Sequence, residues 1–132
     1  MCLDILKPKH PDKISEPKIA KKDIVCYKVF RLFSEGRIES PYQNVDYELK
    51  KKKKSNLVCY MNPVTQSVNI GIHSFIHLDD AIDESNDWST HGMVVVKCVI
   101  PKGAKYYTGV FGLNPCRASS ELIPIEIIHH NQ

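Results

Sequence analysis

The residues of this chain best suited to chemistry are His73 and Ser74, side by side at the end of the strand-like run Gly71-Ile72-His73-Ser74-Phe75. An imidazole exchanges a proton near neutral pH, and a neighbouring hydroxyl can share its ligand. Two readings of the pair stand: a ligand-contacting couple at a strand end, or a hydrogen-bonded core histidine. His77 follows His73 at i+4, a spacing that suits zinc on one helix face. The helix pattern begins only after His77, however, and no third ligand has a readable spacing. No metal is expected, and His77 is read as sitting at or near the helix N-cap. Cys98 with His73 or His91 could form a nucleophilic pair, but Cys98 lies in an apolar run, where an inert buried thiol is expected.

The charged and aromatic candidates are more dispersed. Arg117-Ala118-Ser119-Ser120 reads as a basic, hydroxyl-bearing loop leading into a strand. It is either a phosphate or carboxylate contact or a turn whose serines bond backbone amides. Tyr106 and Tyr107 occupy adjacent strand positions and point to opposite faces, so only one can line a given cleft. The expected ligand site gathers His73, Ser74, Lys102, Tyr106, Arg117, Ser119 and Ser120, with Arg31 or Tyr42 from the first hairpin opposite. Arg117 or Lys102 would hold an anion and Tyr106 would supply an aromatic face. No catalytic residue and no cofactor is assigned.

The elements that must position these residues read as an α+β fold, a mostly antiparallel twisted sheet with one or two short helices. Residues 1–22 look like an extended arm, because Pro8, Pro11 and Pro17 bar helix before them and few apolar residues could anchor it. The arm is therefore expected to be dispensable for the single domain, residues 23–132. Strands are expected over 23–33, 38–39, 45–49, 56–61, 67–72, 93–100, 105–111 and 121–129, with turns at Ser34 to Arg37, Asn62-Pro63 and Pro101 to Ala104. Met93 to Ile100 is apolar throughout and reads as the central strand, and Pro124 implies an edge or a bulge. Residues 112–120 read as a loop around Asn114-Pro115. A helix is expected over 78–86, with Leu78, Ala81 and Ile82 on one apolar stripe and Asp79 and Asp80 in the first turn, favoured by the helix dipole.

Composition excludes several classes. The 132 residues suffice for one core, and no apolar run approaches the roughly 20 residues that span a bilayer. No signal-peptide core is present at the N-terminus, and five scattered cysteines suggest neither a disulfide framework nor a zinc pair. A cytoplasmic, reducing compartment is expected. The net charge of +3 averages over a five-lysine run, Lys50 to Lys54, and an acidic block from Asp79 to Asp87. The lysines are either a phosphate-seeking patch or a solvated loop that guards a sheet edge. They lack the interleaved aromatics of single-strand binders, so nucleic acid is not the expected partner.

The segments Ser40-Pro41-Tyr42-Gln43, Gly71 to Phe75, Cys98 to Tyr107 and Ala118 to Leu122 resemble a group of small uncharacterised proteins from Bacteroidota and their phages. That resemblance covers about residues 24–128 and implies a cytosolic product of a gut bacterium or its phage, with no activity attached. A fainter resemblance is to the ADP-ribosyltransferase-like fold, carried by Gly71 to Phe75, the helix around Ala81, and Val94 to Tyr106 in that order. The chain departs from that family where its chemistry resides. Val94-Val95-Val96-Lys97 holds no Glu at the catalytic acid's place, and Tyr27-Lys28 stands where an Arg or His would hold the dinucleotide.

The expected function is a non-catalytic binder of a nucleotide-like small molecule or a host protein, as in a phage anti-defence protein. The alternatives are an enzyme processing a nucleotide or dinucleotide, and a protein-interaction module. Self-association is expected, through the arm and an edge near Pro124.

Overall fold

The computed structural model describes residues 3–6, 8, 12–33, 37–41, 45–61, 65–88 and 92–131. In chain order the strands are β1 (Leu3–Ile5), β2 (Lys18–Ile19), β3 (Ile24–Leu32), β4 (Arg37–Glu39), β5 (Asp46–Glu48), β6 (Lys53–Lys54), β7 (Val58–Met61), β8 (Gln66–Ile70) and β9 (Ile72–Phe75). Helix α1 (Leu78–Asp87) follows, then β10 (Met93–Ile100), β11 (Lys105–Phe111), β12 (Asn114–Ser119) and β13 (Glu121–His130). The strands join in the order β6-β13-β10-β3-β9-β12-β11-β1-β8-β7, with β4 and β5 built onto β3 and β2 onto β11. The pairings are antiparallel, and the sheet curls into a half-barrel.

The most apolar run supplies the spine. β10 pairs with β3 over its whole length, from Met93↔Arg31 to Ile100↔Ile24. Strands covered on both sides lose the apolar–polar alternation, and here each face has its own core. One face gathers Cys26, Phe30, Val94, Val96, Cys98 and Ile100 under Ile38, Tyr47 and Leu122. The other gathers Val29, Met93, Val95, Phe75 and Leu3 under Ala81 of α1. Full burial of each large side chain contributes roughly 1.5–3 kcal/mol. Helix α1 starts after His77, which has extended backbone angles and makes no side-chain cap bond, and it buries Ala81 and Ser85. Pro124 lies opposite Cys98 where the β10–β13 register shifts, so the missing N–H is accommodated at a bulge.

Two segments differ from the sequence reading. Residues 112–120 are not a loop: Gly112 and Leu113 alone form the turn, and β12 pairs with β11 on one side and β9 on the other. Gly112 takes φ 62, a conformation that carries no penalty for glycine. Asn114-Pro115 enters the strand directly, Pro115 facing Val110 across the ladder.

The N-terminal segment is extended, as its prolines require, yet it is part of the sheet rather than an appendage. β1 lies between β11 and β8, pairing Asp4 with Val110 and with Ser67. Leu3 is fully buried. Gly109 makes room for this insertion, since a Cβ there would come 2.2 Å from the Asp4 carbonyl oxygen. The expected turns at Ser34 to Gly36 and Asn62-Pro63 lie outside the described residues.

Candidate ligand-binding site

Strand alternation decides which expected site residues meet. Cys26 and Ile72 belong to one core, Phe75, Cys116 and Ala118 to the other. Side chains two apart share a face, so Ser74, Arg117 and Ser119 stand on the face of Cys26, and Arg117 is the register partner of Ser74. Tyr106 joins them opposite Ser119, and the Arg117 guanidinium lies 6.0 Å from the centre of the Tyr106 ring. Arg117, Ser74, Ser119 and Tyr106 therefore form one patch, held by β9, β12 and β11.

The remaining candidates separate from it. His73 points to the opposite core and is 4 % exposed. Its Nε2 is 2.9 Å from the Val68 carbonyl oxygen and its Nδ1 is 3.2 Å from that of Gly71. Burial drives the imidazole down to about 4, against the pull of the Val68 carbonyl, so the ring is neutral at pH 7 and carries one N–H. One ring nitrogen therefore donates to its carbonyl and the other faces a carbonyl without a proton to share. Arg31 sits on β3 opposite Met93 and Glu39, near the strand's far end. Lys102 is exposed in the β10–β11 turn, where its backbone N–H donates to Asp23 Oδ1 at 2.9 Å. Ser119 Oγ donates to the Glu121 carbonyl at 3.0 Å, and Ser120 Oγ accepts from the Lys105 N–H at 3.1 Å. Both serine hydroxyls are thus engaged in closing the β11–β12–β13 connections. Tyr42 and His91 lie outside the described residues.

Lys28 is the residue that sequence reasoning passed over. It stands in β3 between Cys26 and Phe30 on the same face and is buried, with Nζ donating to the His73 carbonyl at 2.8 Å and lying 5.6 Å from the Phe30 ring centre. Burial pushes its amine down to about 8, opposed by the neighbouring thiols Cys98, Cys26 and Cys116. Those thiols are themselves raised by burial, Cys26 to about 11 and Cys116 to about 12, so at pH 7 they carry no charge to offset the ammonium. The ion pairs among the described residues are Arg37–Asp46, Lys51–Glu48 and Lys52–Glu121; none includes Lys28 or Arg117. A readable signal existed: Lys28 shares strand parity with Cys26 and Phe30, both apolar-core types.

An open groove of about 700 Å³ runs beside this patch, between the extended residues 13–18 and β11. Tyr106, Tyr107 and Thr108 all border it, so the groove follows the edge of β11 and takes side chains from both faces, against the expectation that only one of the two tyrosines could line a cleft. Lys13, Lys18 and Glu16 supply charge, and Ile5, Leu6 and Ile14 supply apolar contact. Residues 13–15 are fixed in place by Gln66: Nε2 donates to the Lys13 carbonyl at 2.7 Å, and Oε1 accepts from the Ser15 N–H at 3.0 Å. Tyr107 O–H donates to the Ser15 carbonyl at 2.7 Å. The sequence pattern gave no hint of this groove, because residues 13–18 meet β11 across some ninety positions of chain.

The lysine run is mostly engaged at the surface. Lys51 pairs with Glu48 at 2.8 Å, Lys52 with Glu121 at 3.0 Å, and Lys53 Nζ donates to the Asp46 carbonyl at 2.9 Å while lying over the Tyr47 ring. No cluster of three or more metal-ligating side chains occurs among the described residues, and no helix there is long and apolar enough to cross a membrane. Comparison of the chain with protein-family models, with curated proteins and with solved structures finds no match.

Proposed function

We propose that this protein is a non-catalytic binding module that captures a small, anionic, nucleotide-like molecule in the groove between residues 13–18 and β11. The observation that carries the reading is the position of Tyr106. It lines the groove, pairs with Lys18 across the β2–β11 ladder and lies beside the Arg117 guanidinium. An aromatic ring flanked by ammonium and guanidinium groups suits a planar base joined to phosphate, by stacking and charge-assisted hydrogen bonds. Exposed Leu6 and Ile14 offer apolar contact for the base. The fainter sequence resemblance of Gly71 to Phe75, the segment around Ala81 and Val94 to Tyr106 to the ADP-ribosyltransferase-like family points to the same ligand class.

The enzymatic alternative is weaker on the residues. β10 carries no carboxylate along Met93–Ile100, and Glu16 is the one acid among the described residues that line the groove, whereas acid–base catalysis needs positioned proton donors and acceptors.

A thermal-shift series against mono-, di- and cyclic nucleotides tests the proposal. Ligand at 100 times its dissociation constant adds about 2.7 kcal/mol of stability. Tyr106→Ala and Lys18→Ala should each weaken binding by about 1–3 kcal/mol. Absence of a shift with any nucleotide, or full affinity in both variants, would sink it.

A further inference from the structure

The two ends of the sheet are built differently. At one end β6 consists of Lys53 and Lys54, and lysines on an edge strand discourage pairing with another chain. At the other end stands β7, Val58-Cys59-Tyr60-Met61. It pairs with β8 on its inner side, and among the described residues no strand lies against its outer edge. Tyr60 is 49 % exposed, Met61 43 % and Ile70 of β8 38 %. Ile70 is the register partner of Val58, and Tyr60 and Met61, on opposite faces of the strand, leave apolar side chains exposed on both sides of the free edge.

The sequence around this edge is equally unusual. Residues 55–78 contain no Asp, Glu, Lys or Arg, in a chain of which 25 % is charged. A free strand edge with neither charge nor proline lacks the devices that keep sheet edges apart. Sheet edges commonly accept an added strand, whose main-chain hydrogen bonds supply affinity and whose side-chain contacts supply specificity.

We infer that β7 is a self-association surface, pairing antiparallel with β7 of a second copy about a two-fold axis. The occupant follows from the charge pattern. In a two-fold pairing a strand meets its own sequence, so any charge on it would face or neighbour the same charge, which is destabilising. β7 and its flanks carry none, whereas a differing partner steered by electrostatics would call for charge on the rim. The four-residue strand makes a small interface, below the size of stable complexes, so the dimer is weak and concentration-dependent. This edge replaces the one at Pro124, where β10 pairs and the Lys50 N–H donates to the Pro124 carbonyl.

Sedimentation velocity over a broad concentration range, at low and high salt, tests the inference on the full chain. The expected result is a monomer–dimer equilibrium that salt does not weaken, because no ion pairs hold it. Tyr60→Lys and Met61→Lys should each raise the dimer dissociation constant by about tenfold or more, with circular dichroism and melting unchanged since both side chains are exposed. Amide exchange gives an independent readout: β7 amides should gain protection as concentration rises. A monomer throughout, a dimer that dissolves with salt, or a dimer untouched by both substitutions and without added β7 protection overturns the inference. Capture of an extended peptide of another sequence by a chain that stays monomeric overturns it as well.

Discussion

Ser74 and Arg117 oppose one another across the β9–β12 ladder, and each buries a polar atom, Ser74 Oγ and Arg117 Nε, that has no hydrogen-bond partner among the described residues. The Ser74 hydroxyl approaches the Cys26 thiol and eases its ionisation, but that contact falls outside hydrogen-bond geometry. A buried donor left unmade costs roughly 1–3 kcal/mol, so this pair marks a place where polarity is retained against stability. Ser74→Ala should therefore leave the melting temperature unchanged or raise it. A loss of more than about 1 kcal/mol would show that the hydroxyl holds a partner.

Lys28 makes a pH-dependent prediction. Its folded pKa of about 8 lies below the ordinary 10.5, so between these values the unfolded chain binds more protons and stability rises with pH. Below pH 8 the ammonium is charged in both states and its burial is fully unfavourable. The buried thiols act in the opposite sense: Cys26, raised from 9.0 to about 11, holds its proton in the folded state and lowers stability between those values. The thiols of the unfolded chain already begin to ionise between about pH 8 and 9, so the Lys28 contribution is read as a difference between proteins rather than as the parent's own slope. Urea melts of the parent and Lys28→Met should show the parent gaining stability relative to the variant as pH rises from about 8 to 10. At pH 7 the variant should be as stable as the parent or more so, by up to a few kcal/mol. A steep loss at pH 7 would instead show that the ammonium is well compensated in the folded protein.

His73 predicts a response in the acid range. Burial lowers it from 6.5 to about 4, so as pH falls through this interval the unfolded state takes up a proton that the folded state refuses, and stability drops. The full effect is on the order of 3 kcal/mol. His73→Gln keeps a donor for the Val68 carbonyl and removes the titration, and should flatten the difference between pH 6.5 and 4. A variant whose acid sensitivity matches the parent's would assign it to other groups.

Local chemistry made part of this architecture readable and left the rest hidden. The turn at Pro101 to Ala104, the run Met93 to Ile100 and the stripe Leu78, Ala81, Ile82 each signal their element within a few residues, and β10, β11 and α1 form where that chemistry places them. β12 was obscured because Gly112, Asn114 and Pro115 look like loop residues, while its strand character depends on β9, some forty positions earlier. The site divides the same way. Arg117, Ser74 and Tyr106 share a face through alternation alone, once β12 is known to be a strand. The burial of Lys28 was signalled by its strand parity with Cys26 and Phe30, whereas the groove at residues 13–18 depends on long-range pairing, which no local pattern encodes.

Gly109 offers the sharpest test of how the N-terminal strand is held. β1 crosses this glycine so closely that a Cβ would lie 2.2 Å from the Asp4 carbonyl oxygen and 3.1 Å from Leu3 Cγ. The first obstacle is backbone, which cannot swing aside as a side-chain tip would, so Gly109→Ala must move β1 away from β11. That displacement exposes Leu3, fully buried beside Val68 and Tyr107 in the second core, and breaks the bridge joining β11 to β8. A destabilisation of about 3 kcal/mol is expected, combining overpacking with lost apolar burial, together with proteolytic release of the first residues under native conditions. Deletion of residues 1–6 should cost at least as much, since it removes the strand outright and leaves both β8 and β11 with an open edge. If Gly109→Ala melts like the parent and its N-terminus stays protected, β1 does not occupy the position between β11 and β8.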